Sequence, residues 1–540
     1  MKICHKIFCL TIFLFFSLTG VAQPPDLPDD EVEVIKDFEA RLVDAEKLGL
    51  TPELPPNDTI SKNLTYKVPV RSLEVDYPAP KIRPLAIPQK KEAPGYNGYL
   101  KAGYGSPNSP FGELYYSFSD PERYIIGVNA KHHSANNKKL ENQRFMDTNI
   151  NLNGLYYTEG GMAVGAQVGF DAEQVHFYGY DHETTSYLRD EVKQKFNTTY
   201  GNVKIFNAHR TQGDINYRAE VDFYNLKDNY ATSELGLRIS GGGTIWLKEI
   251  HAFNVDIAAD ITDQDNTLSD NLNNFYLKPN FAFHGDIFRV KLGVNMAFSD
   301  SLFYIFPDIE AAVNVVGNKL AIYAGASGDL QKNTMRSLKT VNPFIHTDDK
   351  LQIANTSYYH YYGGVTGNLQ VLDYQIEAGF KKANDLAMYL TDPTDSLRFG
   401  VLYDTVNIVT MNASLTATPI KNLEVTASLG QSIFNPKNEE KAWHLPIFNT
   451  NISARYTTLK DKLSVKAELF VENGVPYRDN QGNIDNLNGL FDLNLGAEYH
   501  FTNNIGIFLD LNNIVSNKRE RWFRYETFGF NVMGGVTARF

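Results

Sequence analysis

The sequence predicts an all-β protein: a transmembrane antiparallel β-barrel of about 22 strands, within a range of about 18 to 24, preceded by a Pro-rich periplasmic leader. Three observations carry this. Side chains alternate with a period of two from Gly95 to the end of the chain, the connections are short and long by turns, and the last alternating segment stops on an aromatic, Phe540.

The alternation is clearest near the C-terminus. Phe491, Leu493, Leu495, Ala497, Tyr499 and Phe501 alternate with Asp492, Asn494, Gly496, Glu498 and His500. Val409, Met411, Ala413, Leu415 and Ala417 alternate with Thr410, Asn412, Ser414 and Thr416, and Leu463 to Val471 repeats the pattern. Successive strand side chains point to opposite faces, so each set lines one face. A soluble sandwich gives the same pattern, and the connections decide between the two. Short ones centre on 502–504, 460–461, 419–421, Val371, 317–318 and 285–286. Longer polar ones lie at 516–525, 474–486, 434–444, 383–406 and 330–356. Toward the N-terminal half the contrast weakens at Asp300-Ser301, while 181–193 and 135–146 keep it. Short periplasmic turns and long external loops mark a membrane barrel, whose closure leaves no sheet edge in a solvent that offers no hydrogen bonds. Both termini are expected on the periplasmic side of an outer membrane.

The N-terminus reads as an export signal. Lys2, His5 and Lys6 precede an apolar run from Ile7 to Leu18, and Gly20-Val21-Ala22 supplies the small residues of a cleavage site, giving a signal peptide over 1–22. The run is shorter than the roughly 20 residues a membrane helix needs. Both cysteines, Cys4 and Cys9, fall inside it, so no disulfide or cysteine ligand is expected in the mature chain. Residues 23–94 hold twelve of the 23 prolines and read as an extended leader that docks partners or fills the lumen. Residues 95–540 form the barrel.

Composition agrees. Mean hydropathy is only −0.33, yet 13% of residues are aromatic, with 31 Tyr and 34 Phe. A barrel shows lipid only every second strand residue and crowds aromatics at the interfaces. The net charge of −12 argues against a nucleic-acid partner. A lumen of this width needs filling, and part of 23–94 or the loops 330–356 and 383–406 are expected to fold inward.

The segment from Leu490 to Phe501, the Phe508-Leu509-Asp510-Leu511-Asn512-Asn513-Ile514 element and the closing Thr537-Ala538-Arg539-Phe540 resemble the end of a TonB-dependent receptor barrel. The resemblance implies transport, as a receptor or a path for a solute. It departs from such receptors in the 72 residues of 23–94, which lack the content of a folded plug, so the likeness is to the plug-less members. Glu31, Val32, Glu33, Val34 and Ile35 resemble a TonB box, a strand-forming segment through which TonB pairs. The alternative is a non-transporting scaffold in an assembly or secretion complex. Expected partners are outer-membrane lipids and lipopolysaccharide, the barrel-assembly machinery during insertion, and TonB or periplasmic and lipoprotein partners through 23–94.

Candidate sites are few. Lys518, Arg519, Arg521 and Arg524, beside Trp522, Phe523 and Tyr525, suit lipopolysaccharide phosphates; an amphipathic loop with its aromatics at headgroup level explains them equally. Phe540 is the C-terminal barrel signal. His132-His133 point to opposite faces of a strand and suit an interface better than a metal. Asp263, Asp265 and Asp270 cluster in an expected loop without the Gly and Glu of a calcium loop. No Gly-x-Ser-x-Gly or His-Glu-x-x-His stands in the chain, and neither enzyme activity, a cofactor nor a metal is expected.

Overall fold

The structure, a computed structural model, describes residues 95–540 except 121, 212, 267–270, 349 and 518. The expected signal peptide, the leader with Glu31–Ile35, Asp270 and Lys518 lie outside the described residues.

Twenty-two strands close into one antiparallel barrel, each paired with its neighbours in sequence. The first, β1 (Gly98–Gly105), pairs with the last, β22 (Asn531–Arg539). Strand length runs from 8 residues in β1 to 22 in β16 (Phe399–Ile420). The alternating apolar sets are the exposed ones: Phe491, Leu495 and Tyr499, like Val409 and Met411, stand among the large hydrophobics open on the outside. A sandwich would bury that face against a second sheet. Here it forms a belt around a closed barrel, which is a lipid-facing surface.

The opposite face lines the lumen and carries the charge. Lys291 pairs with Asp308 at 2.6 Å, Arg289 with Glu310 at 2.7 Å, and Lys278 with Asp329. At the closing seam Lys101 of β1 pairs with Asp510 of β21 (Ile505–Asn512) at 3.2 Å, reaching over β22, with its ammonium 4.0 Å from the Phe508 ring. The seam's end is held by Phe540, whose N–H donates to the Gly98 carbonyl at 3.0 Å while the Gly98 N–H donates to the Phe540 carbonyl at 2.8 Å. The Phe540 ring lies over Gly98, where a Cβ would come within 2.3 Å of it, and stacks on Tyr116 at 5.8 Å.

One end of the barrel carries turns such as 317–319, 369–371 and 459–462; the other carries the longer connections 334–353, 437–447, 473–489 and 513–530. Two expectations fail here. The segment 383–406 is not a loop: β15 (Leu372–Thr391) and β16 run through it as one hairpin closed by 392–398. Its register slips between Ala383 and Leu386, and Asp385 sits at φ 56°. Such a bulge breaks the period of two and so mimics a loop in sequence. Asp263 and Asp265, expected in a loop, belong to strand β9 (His251–Asp265) and pair across it.

Candidate functional site

The site is a lid across the long-loop mouth. The connection between β13 (Leu320–Asn333) and β14 (Ala354–Asn368) begins with a helix, α1 (Met335–Val341), whose N-cap Thr334 and N3 residue Ser337 form a capping box. The remaining free N–H groups at its start meet a buried carboxylate. Glu234, on β8 (Ser233–Leu247), accepts from Met335 N at 2.5 Å and Arg336 N at 3.1 Å, and from the Tyr224 hydroxyl at 2.9 Å. Helix starts leave donors that need such partners, so this strand residue fixes where the helix docks.

The rest of the connection is held by walls far from β13 and β14. Gln194 of β6 (Lys193–Asn207) donates to the Ile345 carbonyl at 3.2 Å, and the Thr232 hydroxyl to the Thr347 carbonyl at 2.8 Å. Lys339, 4% exposed, pairs with Glu173 of β5 (Met162–His176) and lies 5.4 Å from the Phe196 ring. Since β5 to β8 are not neighbours of β13 and β14, the segment spans the mouth as a chord.

Its underside and flanks share one apolar core. Met335, Leu338, Phe344, Ile345 and Leu351 of the connection pack with Phe196 and Leu226 of the wall, Tyr389 and Phe399 of the β15–β16 hairpin, and Trp522 and Tyr525 of 513–530. Tyr525 stacks on Phe344 at 3.9 Å, meets Tyr178 edge-on at 4.9 Å and donates its hydroxyl to the Leu397 carbonyl. Burial pushes that hydroxyl far above its ordinary pKa, so it stays a donor.

Two histidines sit in the lid with opposite surroundings. His444, 1% exposed, lies between Trp522 and Phe399 and binds the Tyr389 carbonyl through Nδ1 at 2.8 Å. Its Nε2 accepts from Phe523 N at 3.4 Å, so the neutral tautomer with the proton on Nδ1 satisfies both contacts. Burial, against the Tyr389 hydrogen bond, which raises it, and with a smaller push from nearby Arg521, lowers its pKa to about 4. His346 stands between Asp348 at 3.5 Å and Asp392 at 3.4 Å. Burial lowers its pKa too, against the carboxylates, which raise it. Burial raises the Asp392 pKa, but hydrogen bonds from Lys350 and Thr394 outweigh it and hold the carboxyl well below the usual range. Arg398 joins the cluster, 3.4 Å from Asp348 and 4.0 Å over the Tyr230 ring.

Solved structures that share this architecture include two receptors and a transporter. The pyoverdine receptor FpvA of Pseudomonas aeruginosa PAO1 superposes with a TM-score of 0.60 at 11% identity, over 84% of this chain and 79% of that one. The ferric-catecholate import receptor Fiu of Escherichia coli K12 gives 0.63 at 8% identity over 83% and 82%. The copper transporter OprC gives 0.60 at 11% over 83% and 81%. The fold is that of the TonB-dependent receptor barrels. No protein-family model and no curated protein matches the sequence.

Within this barrel the basic group read from the sequence divides. Arg524 is exposed, with its guanidinium 5.2 Å from the Phe523 ring, and Arg519 is half-buried. Arg521 turns inward to Glu472 at 3.3 Å. Trp522 and Tyr525 are core residues of the lid, which excludes headgroup level for these two; Phe523 stacks on Tyr477 at 4.4 Å. His132 and His133 have separate partners, Thr148 at 2.8 Å and Ser109 at 3.1 Å. Among the described residues no group of three or more His, Cys, Asp or Glu is placed to hold a metal. Glu234, His444 and Arg398, central to the lid, carried no sequence signal, because each acts through contacts with segments distant in the chain.

Proposed function

We propose that this chain is a transport-related outer-membrane barrel, a receptor or solute path whose long-loop mouth faces outward and is gated by the lid. Both termini then lie on the periplasmic side. The observation that carries the reading is the pairing of a charged, hydrophilic lumen wall with a lid that closes over one mouth. The lid is anchored through side chains and single backbone contacts rather than through the barrel's continuous ladder, so it can leave without breaking the barrel. In this reading the Pro-rich residues 23–94 precede the barrel in the chain, as a plug does in TonB-dependent receptors, and Glu31–Ile35 offers TonB a segment for strand addition. Lys518, Arg519 and Arg524 serve lipopolysaccharide phosphates; Arg521 serves the lid instead.

A second reading is favoured by one observation, the depth of the lid's apolar core. A mouth sealed by Phe344, Ile345, Trp522 and Tyr525 also suits a scaffold that never opens. Affinity purification from native outer membranes in mild detergent separates the two. Recovery of the barrel alone, or with TonB or a solute-binding lipoprotein, supports transport. Stoichiometric recovery of assembly or secretion components makes it a scaffold.

A further inference from the structure

The outer face of the barrel wall is uneven in charge. On β4 (Arg144–Tyr157), β5, β6 and β7 (Ile215–Asp228), Ile150, Phe170, Val203 and Phe223 are exposed on the lipid side, so every second residue from each of them also faces outward. Those positions hold no Asp or Glu on any of the four strands, and their basic residues all lie at the long-loop end: Arg144, Lys193, Lys195 and Lys227. The register sets them side by side. His176 pairs directly with Lys193, Phe145 with Val175, which brings Arg144 beside His176, and Asn197 with Lys227. Arg189 of the β5–β6 connection adds to the group, since Arg144, Arg189 and Lys193 all act on His176. Against them stands one exposed carboxylate, Asp190, 2.8 Å from Lys193. Like charges set opposite one another across strands are destabilising. His176 is fully buried, and neither its ring nitrogens nor Arg144 Nε has a hydrogen-bond partner among the described residues. On β9 the outward positions at this end hold Asp263 and Asp265 instead, and the basic patch stops before it. The patch lies six, six and four residues beyond Ile150, Phe170 and Phe223 on β4, β5 and β7, a step of about 10–15 Å along the normal for strands tilted by about 40°. That is the height of headgroups rather than of acyl chains.

We propose that this patch seats an outer-leaflet lipid whose sugar headgroup bears more than one phosphate, with its acyl chains along the aliphatic belt below. The inference rests on the outward-facing orientation given above and not on transport, and it puts the lipid on the barrel wall, apart from the loop arginines. Phosphate oxygens accept charge-assisted hydrogen bonds from guanidinium and ammonium groups, and an anion between the strands relieves the repulsion along the row. Arg144 Nε and one nitrogen of His176 are donors that still lack an acceptor. The cations spread over three strand spacings, about 14 Å, which suits two separated phosphates better than the single phosphate of a glycerophospholipid. Patch and belt are continuous along the same strands, and that continuity decides for a lipid. A soluble polyanion would use the first and not the second.

The test uses the full chain purified in mild detergent, stripped of lipid and offered bisphosphorylated lipid A, its dephosphorylated form, or phosphatidylglycerol, with bound lipid counted by native mass spectrometry. Lipid A is expected to bind saturably and the other two weakly. K193S, K195S and K227S together should weaken lipid A binding about a hundredfold, the summed effect of three lysines at a membrane surface. The matching arginine triple should retain it, as should K131S with K204S, which face the lumen; heat modifiability shows that each barrel is intact. Equal binding of the dephosphorylated lipid or of phosphatidylglycerol, or undiminished binding by the serine triple, overturns the proposal. So does a protein that co-purifies with the wild type and is lost from the serine triple. Orientation is read separately from L188C, at a position 73% exposed in the β5–β6 connection, with an impermeant thiol reagent on whole cells. Labelling there upholds the outward orientation. Labelling only after the cells are broken removes it, and the outer-leaflet source with it, even where lipid A binds the purified chain.

Discussion

Replacing Tyr525 with Ala removes the ring that joins three segments of the lid. That ring is 2% exposed, stacks on Phe344 at 3.9 Å and meets Tyr178 at 4.9 Å. Truncating a large aromatic side chain in a packed core costs about 3–5 kcal/mol. The barrel ladder contains none of these contacts, so the cost falls on lid closure. Lid opening should then be more populated by roughly two to four powers of ten. The conservative Tyr525→Phe keeps the ring and loses only the hydroxyl donated to Leu397 O, a difference of about 1 kcal/mol. Hydrogen exchange reads both at two amides that are bonded only while the lid is shut: Leu338 N to Thr334 O and His346 N to Phe399 O, each 2.9 Å. Exchange at both should accelerate strongly in Tyr525→Ala and several-fold in Tyr525→Phe, with strand amides unchanged. Unchanged exchange at Leu338 and His346 in the Ala variant would refute the claim that this core holds the lid.

Three further outcomes follow from the same contacts. His444 has a pKa of about 4 in the closed lid against an ordinary 6.5. Its contribution is therefore fully present above pH 6.5 and is lost as pH falls from 6.5 toward 4, up to about 3 kcal/mol; Trp522 emission should shift over that window in the wild type and lose the shift in His444→Gln. Glu173→Ala strands the buried Lys339 ammonium and should loosen α1 by about 3–5 kcal/mol, while Lys339→Met leaves a solvent-reaching carboxylate and costs about 1 kcal/mol or less; exchange at Asn342 N, bonded to Leu338 O at 2.9 Å, ranks them. Gly98→Val drives a side chain into the Phe540 ring and should lower the temperature at which the barrel loses its heat-modifiable band on gels, whereas Gly112→Val, where a Cβ meets nothing within 4 Å, should not.

The barrel was legible because its signal is local. Alternation along Leu490–His500 or Leu463–Glu472 needs only the period of two, and closure multiplies it through the chain. Loop lengths gave the strand number for the same reason. One failure is also local. At Ala383–Leu386 a bulge interrupts the period, so 20- and 22-residue strands read as a long loop. Inward folding was anticipated for 330–356 from lumen width alone; which walls would receive it was not, because Gln194, Thr232 and Glu234 are ordinary strand-end polar residues until the chord is drawn. Trp522 and Tyr525 were ambiguous in sequence, since a lid core and a membrane interface both ask for aromatics beside arginines. Long-range burial alone separates those two uses.

Whether the lid gates a hydrophilic lumen is decided by planar-bilayer recording of the full chain beside a variant in which 335–352 is replaced by a short Gly/Ser turn. Closed behaviour in the wild type and stable, long-lived conductance steps in the variant are the predicted result. A variant as silent as the wild type, with its barrel intact by heat modifiability, would contradict it.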